Sequence, residues 1–210
     1  MKNKTSVIFI ITGTALILSA LFLCMHNIIE DKKSGEKSQN ILEDLKSQIT
    51  VIENTNENPL YNTPDFYEQF EKDKTKTSYK KVDGIKYLGY ITLPTIDIEL
   101  PVMSDWDYDK LSSSPCRYSG SAPQKDLIIA AHNYNSHFRK IDNLNSGDIF
   151  YFIDADGKSY EYEVTNTEII SGSDPDTMTS DYDDSWDITL FTCTFDGRNR
   201  ITVRGKLTEK

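Results

Sequence analysis

Apolar and polar residues follow three different rhythms along this chain. From Thr5 to Ile29, "TSVIFIITGTALILSALFLCMHNII", no Asp, Glu, Lys or Arg occurs. As a helix, this run is about 37 Å long, enough to cross a hydrocarbon core of roughly 30 Å. From Asp31 to about Lys81 the sequence is polar and charged. Within it, Ile41, Leu42, Leu45, Ile49 and Ile52 recur at helical spacing and predict an amphipathic helix. Two prolines in "NENPLYNTPDF" interrupt that pattern, and a second short helix is expected from Pro64 to about Lys74. The plain reading of this region is a stalk, with docking of the helix on a following domain as the alternative.

From Tyr87 the rhythm changes to two. Short runs, "YLGYITL", "IDIELPVM", "LIIAA", "DIFYFI", "SYEYEVT", "TEII", "DITLFTC" and "RITVRGKL", are separated by Gly, Pro, Asp or Asn. "IFYFIDADGKSYEYEV" predicts a hairpin turning at Asp154 to Gly157. The DxDG there resembles the start of a calcium loop, but the other EF-hand ligands are missing, so a turn is the better reading. Short strands in this number predict an antiparallel barrel or sandwich. The expected organisation is an anchor at 1–30, a partly helical stalk at 31–81 and a β-domain at 82–210.

Charge narrows the function. The 210 residues carry a formal net charge of -10. A general nucleic-acid binder needs a basic surface, so that class is set aside. Lys2 and Lys4 precede the apolar run, and the residues after it carry no net charge. The positive-inside bias then predicts a cytoplasmic N-terminus and an external β-domain. A cleaved signal peptide competes, but the run is long and "CMHNIIED" is a poor cleavage site.

The chain has three cysteines and three histidines. Cys24 and His26 fall in or beside the apolar run. Cys116 and Cys193 remain, with His132 and His137. No CxxC or zinc-type spacing occurs, so a structural zinc site is not expected. His132 and Cys193 each follow a strand-like run, "DLIIAA" and "DITLFT", where a rigid strand end holds a side chain in register. His137 lies in the polar stretch "NYNSHFRK" and is expected to be less fixed. Cys116, in "SSSPCRYSGS", has no strand pattern and reads as a half-buried thiol in a turn-rich stretch. In "RITVRG", Arg200, Thr202 and Arg204 share a face. An arginine beside a cysteine nucleophile and a histidine offers donors for an oxyanion. A packing cysteine and solvated arginines are the competing reading. The acidic segment 172–186 reads as a substrate loop, a weak cation site or a solvated loop.

"TLFTC" resembles the TLxTC signature of the sortases, cysteine transpeptidases of Gram-positive surfaces. "IIAAHN" resembles the family's strand-then-histidine, and "GYITLPTIDIELPVM" its opening strands. The resemblance covers about Tyr87 to Leu207. It implies a closed eight-stranded sortase-type β-barrel, with Cys193 as nucleophile, His132 as acid/base and Arg200 as oxyanion stabiliser, Arg198 being the runner-up. It also implies cleavage of an LPxTG-like sorting signal through a thioacyl intermediate. A peptidoglycan precursor or pilin amine would be the acceptor, and no cofactor is needed. Water as acceptor, or an inactive membrane-tethered binding barrel, are the alternatives. Two departures from the family stand out. Ala131 replaces a frequent glycine before the histidine. The class is also mixed, because "PDF" at Pro64 to Phe66 only partly matches the lid motif of class C.

Overall fold

The structure is a computed structural model that describes residues 2–51, 78–173, 177 and 185–208. The expected short helix at 64–74 and most of the acidic segment lie outside the described residues.

Helix α1 runs from Lys2–Gln48 and crosses residue 30 without a break. Its N-terminal part exposes its apolar side chains, Val7 to Ile29, on every side. Such a helix is long and apolar enough to cross a membrane. From Asp31 onward only one stripe is covered: Ser34, Ser38, Ile41, Leu42, Leu45 and Ile49 are buried, at intervals of three and four. The docking alternative is therefore the one observed. The lower half of the stripe packs with Val82, Tyr87, Tyr90, Met103 and Ile153 on the outside of the β-domain.

Nine strands follow among the described residues: β1 (Lys80–Val82), β2 (Ile85–Leu93), β3 (Ile98–Met103), β4 (Cys116–Ser119), β5 (Leu127–Ala130), β6 (Ile149–Asp154), β7 (Ser159–Ser171), β8 (Ile188–Cys193) and β9 (Asn199–Leu207). Their order is β1-β2-β3-β4-β5-β8-β9-β7-β6, and β6 pairs back onto β2. β2 to β9 thus form a closed eight-stranded barrel, with β1 as a short addition to β2. Closure removes the exposed edges that an open sheet would leave. At the closing seam Gly89 has φ +148°, and a Cβ there would lie 1.9 Å from the Ile153 carbonyl oxygen. Only glycine lets the two backbones meet at that point.

Alternation sets the two faces of the wall. Leu127, Ile129, Ala131, Ile188, Leu190 and Val203 fill the barrel interior. Ile128, Ala130 and Phe191 form a separate cluster on the outer face. The predicted hairpin is β6–β7, and its turn is held by the Asp154 carboxylate, which accepts from the backbone N–H of Asp156 and Lys158. The runs "SYEYEVT" and "TEII" form one strand, β7. Cys116 corrects an expectation: it begins β4, paired with Met103 and Ala130, and is fully buried.

Candidate active site

β5 and β8 are parallel neighbours, with Ala130 beside Phe191. Both chains therefore leave the barrel at the same end. Past the ladder, the Ala131 N–H donates to the Phe191 carbonyl (3.1 Å) and the Thr192 hydroxyl donates to the Ala131 carbonyl (2.9 Å). The next residues on the two chains are His132 and Cys193. β9 returns antiparallel on the other side of β8, with Arg200 directly opposite Cys193. Facing residues of an antiparallel pair project from the same side. Alternation puts Cys193, Arg200 and His132 all on the outer face, above the Ile128–Ala130–Phe191 cluster. The strand register thus gathers the three sequence candidates at one end of the barrel.

The same alternation accounts for each letter of "TLFTC". Thr189 faces out and accepts a hydrogen bond from the buried Arg204 (2.8 Å). Leu190 fills the core. Phe191 faces out and meets the Tyr118 ring edge-on at 5.5 Å. Thr192 faces in and ties β8 to the carbonyl before His132. Cys193 faces out, half-buried and free. A buried hydroxyl needs a partner, and Thr192 finds one at the position that fixes the histidine.

His132 is half-buried, and burial holds its imidazole below the ordinary range. Neutral imidazole is the form that can take a proton from a thiol. Tyr134 stacks on the ring at 5.0 Å, and Tyr108 meets it edge-on at 6.0 Å. Ala131 is not among the residues with positive φ, so alanine replaces the family's glycine without strain there. Arg200 donates from Nη1 to the carbonyls of Gly197 (3.1 Å) and Asn199 (3.0 Å) in its own hairpin turn. Among the described residues its Nε and Nη2 donors make no hydrogen bond.

The other candidates separate. Burial pushes the Cys116 thiol up to about 11, which leaves it without thiolate at neutral pH. His137 is not loose, as its polar surroundings had suggested. It is fully buried, and its Nε2 lies 3.1 Å from the Ser34 hydroxyl of α1. Asp31 of α1 was not visible as a site residue. Its carboxylate accepts from the Asn135 N–H (3.0 Å) and side-chain amide (2.8 Å), and from the Ser136 N–H (3.0 Å) and hydroxyl (2.6 Å). Burial alone would raise its pKa, but the hydrogen bonds from Ser136 and Asn135 outweigh this and hold it below the usual carboxylate range. The segment that follows His132 is thereby clamped to the N-terminal helix. The signal was a 104-residue separation that no local pattern reports.

A family model for the Sortase domain matches residues 91–208, more than half of the chain. The chain belongs to the sortase family. It is similar to Sortase A of Bacillus anthracis, 30% identical over 151 residues, covering 65% of this chain and 67% of that protein. It is also similar to Sortase D of Bacillus subtilis, 26% identical over 125 residues, covering 59% and 62%. The chain thus spans about three fifths of that second relative. Among solved structures, a Clostridium perfringens Sortase D5 transpeptidase superposes with a TM-score of 0.58 at 21% identity, covering 83% of this chain and 99% of that one. At that identity the likeness concerns the fold, and the fold agrees with the closed barrel described above. The motif, the strand order and the family model coincide on one stretch of chain.

Proposed function

We propose that this sortase is a membrane-anchored cysteine transpeptidase, with Cys193, His132 and Arg200 as its reacting set. The observation that carries the reading is the register of β5, β8 and β9, which brings these three residues to one face at one end of the barrel.

The Cys193 thiol passes its proton to His132, and the sulfur attacks the carbonyl carbon of a Thr–Gly bond in an LPxTG-like signal. The carbonyl oxygen takes up negative charge, which the guanidinium of Arg200 stabilises once its fork turns from the hairpin carbonyls. The C–N bond breaks, and His132 gives its proton to the departing amine. The threonyl group is then held as a thioester. An acceptor amine attacks it, His132 takes the amine's proton, and sulfur leaves as thiolate. A peptidoglycan precursor or a pilin is the proposed source of the amine. Residues 1–30 serve as a single-pass anchor with the N-terminus in the cytoplasm, 31–81 as the connecting segment, and 82–210 as the external catalytic domain.

Intact-mass analysis of the full chain with LPxTG-like peptides tests this. A mass gain equal to the acyl fragment is expected, absent in Cys193→Ala. Arg200→Ala should slow acylation about 10²–10³-fold, and Arg198→Ala far less. A Cys193→Ala variant that still forms product would end the proposal.

A further inference from the structure

Helix α1 measures the barrel against the apolar run. The uncharged stretch ends at Ile29, and two residues later Asp31 holds Asn135 and Ser136. One turn on, a Cβ at Gly35 would sit 2.8 Å from that of Ser136, so the helix lies flush against the segment after His132. Lys37 donates to the Ser113 hydroxyl, and Gln39 to the Glu99 carbonyl. Beyond the helix end, Thr50 touches Gly157 in the β6–β7 turn. Between Asp31 and Gln48 the helix advances about 26 Å. The barrel therefore lies along α1, with its His132 end level with the last apolar residues. The β6–β7 turn points away from them.

The side chains differ in the same direction. Phe195, in the turn after Cys193, is 92% exposed, Tyr108 against His132 is 68% exposed, and Ile169 on β7, opposite Ile201, is 66% exposed. Arg139 and Lys140, just past the clamped segment, are also exposed. The far turn presents Asp156 and Lys158. Exposed Asp109 and Asp196 adjoin Tyr108 and Phe195, so the contrast between the ends lies in the exposed aromatic and aliphatic tips, which suit the boundary of a headgroup layer.

We propose that the end of the barrel carrying Cys193 and His132 rests on the phospholipid headgroup layer. The inference depends on α1 crossing the bilayer. To test it, the full chain carrying Cys24→Ala and Cys193→Ala, with the buried Cys116 kept, is placed in phosphatidylcholine–phosphatidylglycerol nanodiscs. A single fluorophore is attached at Leu16→Cys, Arg139→Cys, Lys140→Cys or Asp156→Cys. Acyl-chain spin labels should quench position 16, which reports the span. Headgroup spin labels should quench positions 139 and 140 several-fold more than position 156. Equal quenching at 139 and 156, or stronger quenching at 156, overturns the proposal while leaving the span intact. No quenching at position 16 removes the span, and the proposal with it.

Discussion

His137 gives a sharp test of how the helix and barrel are joined. Its imidazole is fully buried between α1 and the segment after His132. The Ser34 hydroxyl donates to the Ser112 carbonyl (2.5 Å), so its oxygen is left to accept from His137 Nε2 (3.1 Å). The neutral ring then carries its hydrogen on Nε2. Nδ1 is buried with no partner among the described residues. A second proton would need an acceptor at Nδ1 and a charge out of water, and neither is provided. Burial, with a smaller contribution from the neighbouring His132, lowers the group from 6.5 to about 4. As the pH falls below 6.5 the unfolded chain takes up this proton and the folded chain does not. Stability is complete above 6.5, falls between 6.5 and 4, and levels off below. Moving from pH 7.5 to 4.5 should cost about 2.5 kcal/mol through this residue. Urea unfolding of the full chain in detergent micelles at the two pH values measures the total. His137→Gln keeps a donor for Ser34 but cannot titrate, so the difference between the two chains isolates the effect. An identical pH dependence in His137→Gln, or an NMR titration of His137 near 6.5, would refute the reasoning.

Two further substitutions probe the support of the site. Thr192→Val removes the hydroxyl that ties β8 to the Ala131 carbonyl and leaves that carbonyl short of a donor. A loss of about 1–2 kcal/mol is expected in urea unfolding, with kcat reduced more than KM is raised, because the histidine and cysteine strand ends lose register. Asp31→Ala releases Asn135 and Ser136. It should lower kcat for thioester formation while a thiol reagent still labels Cys193 at the native rate. Asp31→Asn, which retains one acceptor, should recover part of the loss.

The alternating strands were legible because their barrel walls are apolar on one face and mixed on the other. β2, β3, β6, β8 and β9 all show this, and β5 is a short run that is apolar on both faces. β4 was not legible, since Cys116, buried beneath α1, is the one buried residue of a four-residue strand flanked by Pro115 and serines. β7 looked like two strands because its polar middle, "TNTE", pairs with β9 across a bulge. Cys193 and His132 were legible as candidates because each stands at or just past the end of a strand-like run, where side-chain type and position coincide. The pose of Arg200 toward its own turn could not, because a side-chain torsion leaves no trace in spacing. The helix was half legible. Ile41, Leu42, Leu45 and Ile49 signal their stripe, whereas Asp31, Ser34, Gly35 and Ser38 continue it with small or polar residues that look solvated. Their partners lie in loops far along the chain, and contact there depends on close approach rather than on hydrophobicity.

The unbroken passage of α1 from apolar run to barrel flank has a mechanical consequence. No swivel separates the two, so any lean of the helix is transmitted to the end carrying Cys193 and His132 as a change of elevation. As the proposed span, the 25 uncharged residues are longer than an average hydrocarbon core, and tilting is one way for them to fit. Thin bilayers should make it lean further and thick ones stand it upright. Turnover of one peptide substrate in nanodiscs of short- and long-chain lipids should then vary with thickness. Adding two glycines between Glu30 and Asp31 should flatten that dependence. Identical rates across all lipids with the native helix would mean that the joint yields. If α1 spans the bilayer as proposed, the barrel is less a tethered domain than a gauge, its working height set by the thickness of the lipid around the helix.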